Sequence, residues 1–429
     1  MRSQWTPRTP RKASRPPIAW GRAAVCLYAA LIPLQPVLVM PDGSHLRIAA
    51  ADVAAPLVLL AAIAAPRRRL SAGLSLVALG IPLLALFSTL VAARHRSLSW
   101  YAMGKTAGLA YLVVVALAAA RALERGAEPA VLRALALGGI WSAVVGLAGY
   151  AAWLAGMPNQ LVAAGRLCST MPGDPNIYCS LLAVALLITA LDARLTIAGR
   201  LTRVGVLALA LILTGSRSGV VGAAFGLTVA AFAGTRDPWT TAVRGLWFLM
   251  LGGLVAALAF QTTAGDRVAT VLAQHVWRTW TVENRFTLYA RALQLFSEHP
   301  LLGLGIGGFN DLNTWTMEGR GGHIPVHNTY LWAFVDLGIV GGMLLAGLVV
   351  GAIWCCVRAA ARRPAPPGAG LVAGGLAAMA AFNLFVDGFY QRHFWILMAC
   401  ALGLPAVRRA RRMPAWQWRT DSMPFPVAR

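Results

Sequence analysis

The chain is short of acid. Across 429 residues, 15 Asp and Glu face 38 Lys and Arg, and charged residues of both signs make up only 12%. The polar segments contain no DxD pair, and His323, Asp311 and Glu318 are spaced too loosely to hold an ion, which argues against a carboxylate metal centre. The six cysteines include no CxxC and no Cys/His spacing, which removes a structural zinc. Cys168 and Cys179 are the pair that an oxidising compartment could join. No internal repeat is present, and low complexity is confined to the termini. So little charge in a chain this size excludes an ordinary water-soluble domain.

What the chain has instead is apolar length. Hydrophobic residues are 58% of the sequence and mean hydropathy is +0.64. A spanning helix needs roughly 20 apolar residues. Twelve runs qualify, or come near it: Ala23–Met40, Ile48–Ala65, Ala72–Ala93, Thr106–Ala120, Ala134–Ala155, Ile177–Leu191, Leu201–Thr214, Ser218–Gly234, Leu246–Thr262, Thr329–Trp354, Leu371–Phe385 and Phe394–Ala406. With a cytoplasmic N-terminus, 26 of the 38 basic residues fall in the tails and inner loops, as the positive-inside rule expects. The sequence therefore predicts an all-α integral membrane protein with about 12 transmembrane helices and both ends cytoplasmic. Residues 1–22 form a basic tail that reads as disordered, 23–262 carry helices 1–9, 263–328 form a large outer helical loop, 329–406 carry helices 10–12, and 407–429 form a second basic tail. The first run lacks a small-residue cleavage pattern and reads as a retained span. The net charge of +23 then orients helices and meets anionic membrane lipids, and nucleic acid is excluded as a partner.

Polar chemistry gathers in the outer loops. Thr214-Gly215-Ser216-Arg217-Ser218-Gly219 joins two apolar runs with almost no loop, which leaves Arg217 at the interface. An arginine there is either functional or a snorkelling cap on a hairpin. Asn284–His299 reads as an amphipathic helix with Phe286, Tyr289, Leu293 and Phe296 on its apolar face. A second helix is expected over Arg267–Trp280. Arg285 falls in the first turn of the Asn284–His299 helix, where free amides favour an anion, or where the charge is simply solvated; Arg291 lies on the same helix. Gly303-Leu304-Gly305-Ile306-Gly307-Gly308 satisfies GxGxxG but follows a helix and Pro300, so a flexible turn is expected rather than a dinucleotide site. His327 and Asn328 close the loop directly before the tenth run; a near-neutral imidazole there is a base or an interfacial histidine. Asp387 and Arg392 share a short outer turn, where a local ion pair is expected, and Asp52 is the main charge within a span.

Taken in order, these motifs resemble the O-antigen ligase and polymerase superfamily. The resemblance rests on Arg166 through Asn176 with its Gly-Asp-Pro-Asn turn, Thr214–Gly219, Asn284-Arg285-Phe286, His299–Phe309, and His327-Asn328-Thr329-Tyr330 followed by Asp336-Leu337-Gly338. Asp336 stands where the family often has Glu. The resemblance implies a GT-C-like, metal-independent and inverting glycosyltransferase of the bacterial inner membrane, with no cofactor and an active site facing the periplasm. It would take a glycan from undecaprenyl pyrophosphate and pass it to lipid A–core oligosaccharide. His327 would be the base, with Arg217 and Arg285 on the diphosphate and Arg166, Asn176, Asn328 and Arg291 binding substrate. A polymerase of the same superfamily and a multi-span transporter are the alternatives.

Overall fold

The computed structural model describes residues 19–35, 37–39, 45–47, 49–65, 70–94, 100–171, 174–233, 280–312, 316–317, 320–321 and 325–404. The ninth expected run, Leu246–Thr262, most of the helix expected over Arg267–Trp280, and nearly all of both basic tails lie outside them. The described chain is mostly helical. Its elements are α1 (Ala19–Leu31), β1 (Val37–Val39), β2 (His45–Arg47), α2 (Ala50–Ala64), α3 (Ala72–Ala92), α4 (Trp100–Ala122), α5 (Glu128–Leu154), β3 (Val162–Ala163), β4 (Arg166–Leu167) and α6 (Pro175–Ala190). They continue with α7 (Ile197–Leu213), α8 (Arg217–Phe232), α9 (Trp280–Glu298), α10 (Gly308–Leu312), β5 (Thr316–Met317), β6 (Arg320–Gly321), α11 (Thr329–Ala360), α12 (Ala369–Phe382) and α13 (Arg392–Gly403). The strands form three antiparallel hairpins, with Val37 opposite Arg47, Val162 opposite Leu167 and Thr316 opposite Gly321.

Four described helices, α3, α4, α5 and α11, are long and apolar enough to cross a membrane. Shorter apolar helices include α2, α6, α8 and α12. Their surfaces fit that reading. Leu83, Leu86, Phe87 and Leu90 on α3 and Met343, Val350 and Trp354 on α11 are exposed, an outward apolar face that water would penalise and hydrocarbon would not. In contrast, α6 and α13 are buried on nearly every side. A helix apolar all round belongs in the centre of a bundle, and these two form it.

Small residues set the tightest packing. On α8, Gly222 and Gly226 face Ala378 and Gly374 of α12, so the two helices run antiparallel at near backbone contact. A Cβ at Gly226 would come 2.6 Å from the Gly374 carbonyl oxygen. Contacts at the helix ends sort the loops into two groups. The Ser71 amide bonds to the Leu402 carbonyl and the Arg121 Nε to the Ala62 carbonyl at one end. Thr329, Asn383, Gly388, Thr89, Leu302 and Arg166 gather at the other, which carries the polar motifs.

Two expectations need correction. The first apolar run ends early: α1 stops at Leu31 because Pro33 has no amide hydrogen to extend the ladder, and the chain turns into the β1–β2 hairpin before Met40. Nor does Arg392 pair with its neighbour Asp387. Its guanidinium forks onto Asp52 of α2, with Nε 2.7 Å from Oδ1, and the Tyr111 hydroxyl of α4 donates to the same oxygen at 2.7 Å. Three helices are thereby tied through one carboxylate, which leaves neither charge alone in the bundle.

Substitution of Gly226 by Val should cost about 2 kcal/mol through overpacking against α12. Gly347→Ala on α11, where a Cβ meets nothing within 4 Å, should leave the unfolding midpoint in detergent unchanged or slightly raised. Equal melting of the two variants would contradict the close approach of α8 and α12.

Candidate active site

The polar end is organised around the start of α11. Asn328 is its N-cap, and Oδ1 accepts from the amides of Tyr330 and Leu331, both at 3.0 Å. The cap fixes the residue before it. His327 adopts φ 56°, the left-handed region that a β-substituted residue enters only under constraint. The Tyr289 hydroxyl of α9 lies 3.3 Å from the His327 carbonyl oxygen and 3.3 Å from that of Leu384, which locks this backbone to α9 and to the end of α12.

Arg166 forms a second corner. Its Nε donates to the Thr214 carbonyl at 2.7 Å and its Nη2 to Asn176 Oδ1 at 2.7 Å. Asn176 is itself held in the first turn of α6, which Asp174 caps through the amides of Asn176 and Ile177. Thr214, Gly215 and Ser216 form the turn into α8: Gly215 has φ 61°, Ser216 donates its amide to Thr214 Oγ1 at 3.2 Å, and Ser216 and Ser218 hydroxyls are 2.9 Å apart. The hairpin that carries Arg217 is thus bonded directly to Arg166. Arg217 heads α8 and is exposed.

Electrostatics link the two corners. Burial, with the Arg285 charge adding to it, pushes the His327 imidazole down to about 4. Burial first, and Arg285 among the lesser causes, also pulls Arg166 below the usual guanidinium value. Arg285 therefore stands within electrostatic reach of both His327 and Arg166. At neutral pH the histidine is uncharged, and burial together with the Arg285 charge disfavours an added proton.

Arg291 faces elsewhere. It lies six residues past Arg285, about 240° around the helix, and its guanidinium donates to Gln294 Oε1 at 2.9 Å on the exposed side of α9. The apolar face of this helix is also displaced from the sequence expectation. Leu288, Ala292 and Leu295 are buried with Tyr289 and Phe296 beside them, whereas Phe286 is 68% and Leu293 56% exposed.

The glycine stretch Gly303–Gly308 follows α9 and runs into the first residue of the short α10, so no strand-to-helix dinucleotide geometry exists there. It is not a loose turn. Leu304 donates to the Val335 carbonyl at 2.9 Å, Ile306 to Thr89 Oγ1 at 3.1 Å, and Gly307 and Phe309 to the two carboxylate oxygens of Asp336 at 2.7 and 3.0 Å. Gly338 leaves the helical conformation at φ 68°, and Ile339 takes the Pro300 carbonyl as its acceptor at 2.8 Å. The sequence offered no signal for this tie beyond Asp336 and Gly338 themselves. Cys168 and Cys179 are both buried free thiols, donating to the carbonyls of Arg166 and Asn176. Among the described residues no cluster of three His, Cys, Asp or Glu could hold a metal.

The family described as O-antigen ligase matches residues 204–346, a stretch that holds Arg217, Arg285, His327, Asn328 and Asp336. The match supports the O-antigen ligase and polymerase superfamily for this chain. No curated protein matches it.

Replacing Asp336 by Ala would leave two buried amides without an acceptor, at roughly 1–3 kcal/mol each. Amide hydrogen exchange should speed up across Leu304–Asn310 well before α6 or α13 is affected. Unchanged protection there would deny Asp336 its role in holding the loop.

Proposed function

Taking the O-antigen ligase and polymerase superfamily as the premise, we propose that the chain is the ligase. It transfers a glycan from undecaprenyl pyrophosphate to lipid A–core oligosaccharide at the periplasmic face of the bacterial inner membrane. The twelve-span, GT-C-like architecture is part of the same proposal. The observation that carries it is the meeting of Arg285, Arg166 and a neutral His327 at one end of an apolar bundle.

The chemistry follows from charge. An acceptor hydroxyl oxygen attacks the anomeric carbon, the bond from that carbon to the diphosphate oxygen breaks, and the diphosphate departs with the electron pair. Negative charge grows on the leaving group, and fixed guanidiniums are suited to receive it. Arg285 and Arg217 take this role, with Arg166 in support. Asn176 orients Arg166 through their 2.7 Å bond. The hydroxyl proton goes to His327. A buried imidazole within reach of the Arg285 charge is a weak base, but a bound diphosphate neutralises that charge and raises its proton affinity. The base is therefore strengthened by the arrival of the donor. Asn328 acts by fixing the histidine backbone through its cap, and Arg291, directed away from this corner, contributes least of the assigned residues.

His327→Ala in purified, reconstituted protein should lower transfer by about 10²–10⁴-fold. Transfer near the wild-type rate would remove the base assignment. With the free imidazole at about 4, kcat/KM should hold as pH falls until that value is approached from above, and be lost through it. Protonation removes the acceptor lone pair, so activity is lost below the relevant pKa. In the donor complex that pKa is higher, and kcat should begin to fall at higher pH than kcat/KM. Coincident acid limbs would argue against coupling of donor and base. Separate acceptors decide the branch: product on lipid A–core supports ligation, and product only on a second lipid-linked glycan would make the chain a polymerase.

A further inference from the structure

Across from the arginine corner lies a group of polar side chains of the opposite character. Asp387, in the turn between α12 and α13, has one carboxylate oxygen held by the Phe389 amide, while its buried Oδ1 has no hydrogen-bond partner. The Tyr390 hydroxyl, three residues on, is also buried and without a partner. Lys105 of α4 stands with its ammonium 4.2 Å from the centre of the Tyr390 ring and 5.4 Å from that of Tyr101. Asn310 of α10 donates to the Tyr101 hydroxyl at 2.8 Å, and the Tyr101 side of the group is open, at 44% exposed. An orphaned acceptor and an orphaned hydroxyl in one place are unusual in a folded protein, where buried polar atoms find partners.

We infer that Asp387, Tyr390 and Lys105 form a subsite for the hydroxyl groups of a sugar ring, next to the diphosphate corner. A neighbouring pair of sugar hydroxyls matches what is missing: one donates to Asp387 Oδ1, the other accepts from the Tyr390 hydroxyl, and the Lys105 ammonium supplies a further donor at the rim. Aromatic faces beside polar groups suit the apolar face of the ring. An anion does not fit, because the Asp387 carboxylate would oppose it and the Asp174 charge acts on the same place. Asp174 acts on Arg166 as well, so the carboxylate and guanidinium corners are neighbours across the end of α6. A sugar diphosphate would meet cations at its phosphates and hydrogen-bonding neutral or acidic groups at its ring. This subsite rests on the transfer reading, and it is open to either the donor or the acceptor glycan.

Binding to the full-length protein in nanodiscs separates the possibilities, using three probes: undecaprenyl pyrophosphate without sugar, the same carrier bearing a glycan, and lipid A–core. Asp387→Asn and Tyr390→Phe should each weaken one glycan-bearing probe about tenfold and leave the sugar-free carrier within twofold. Tyr390→Phe keeps the ring under Lys105, so it guards against a folding defect in the Asp387 variant. Loss against the glycan-bearing carrier assigns the subsite to the donor, and loss against lipid A–core assigns it to the acceptor. Either result supports the inference. Wild-type affinity in both variants for all three probes would overturn it, as would equal weakening of the sugar-free carrier. Failure of the wild-type protein to bind the sugar-free carrier, with the tenfold effects intact, would sink the diphosphate assignment and leave the subsite standing.

Discussion

An amide or carbonyl left unpaired in hydrocarbon costs several kcal/mol, and every departure from regular helix at the polar end answers that constraint. Where α11 begins, the Asn328 side chain takes two of the free amides and the Asn383 carbonyl takes the amide of Thr329 at 2.9 Å. Where α11 breaks at Gly338, Pro300 accepts from Ile339, and Asp336 accepts from the loop that brings Pro300 there. The break and the loop satisfy each other. Irregular backbone is tolerated here because α9, the glycine loop and α11 form one hydrogen-bonded unit, and that unit keeps His327 within electrostatic reach of Arg285.

Charge follows a second rule. A bundle with few carboxylates can neutralise few of its cations internally. Arg392 receives Asp52, and the pair ties three helices. Arg166 receives neutral acceptors instead, a carbonyl and an amide oxygen, which fix its direction while leaving its charge uncompensated by them. The first arrangement is structural; the second, on the transfer reading proposed above, leaves a guanidinium for an anion. Burial is the larger cause of the low proton affinity of His327, and the Arg285 charge adds to it.

How much of this was legible depends on sequence distance. His327, Arg166 and Asn176 were marked by short motifs, because a cap and an Asp-Pro-Asn turn are written in consecutive residues; the helix start assigned to Arg285 was misplaced, since α9 begins at Trp280 and Arg285 lies beyond its first turn. The Asp52–Arg392 bridge joins positions 340 apart in the chain, and no local pattern announces it; Asp387, five residues from Arg392, was the natural but incorrect partner. The Asp336 tie reaches back 29 residues to Gly307 and escaped for the same reason. The face of α9 was misphased for a different cause. Periodicity identifies a buried stripe only where the opposite side must be polar, and Phe286 and Leu293 remain exposed as apolar residues. At a lipid boundary both sides can be hydrophobic, so the contrast that the method needs is lost.

On the proposed transfer reading, the scarcity of acid has a functional meaning at the polar end. A donor in which an anionic diphosphate adjoins a neutral sugar presents two chemistries a few ångströms apart. Arg166, held by neutral acceptors, suits the first, and a carboxylate with an unpartnered oxygen beside a tyrosine hydroxyl suits the second. A further acidic residue next to Arg285 would satisfy the guanidinium in advance and compete with the donor for it. An added cation beside Asp387 would do the same to the sugar corner. Keeping the two corners distinct needs few carboxylates rather than many, each in a fixed place, and the charge of Asp174, the N-cap of α6, acts on both.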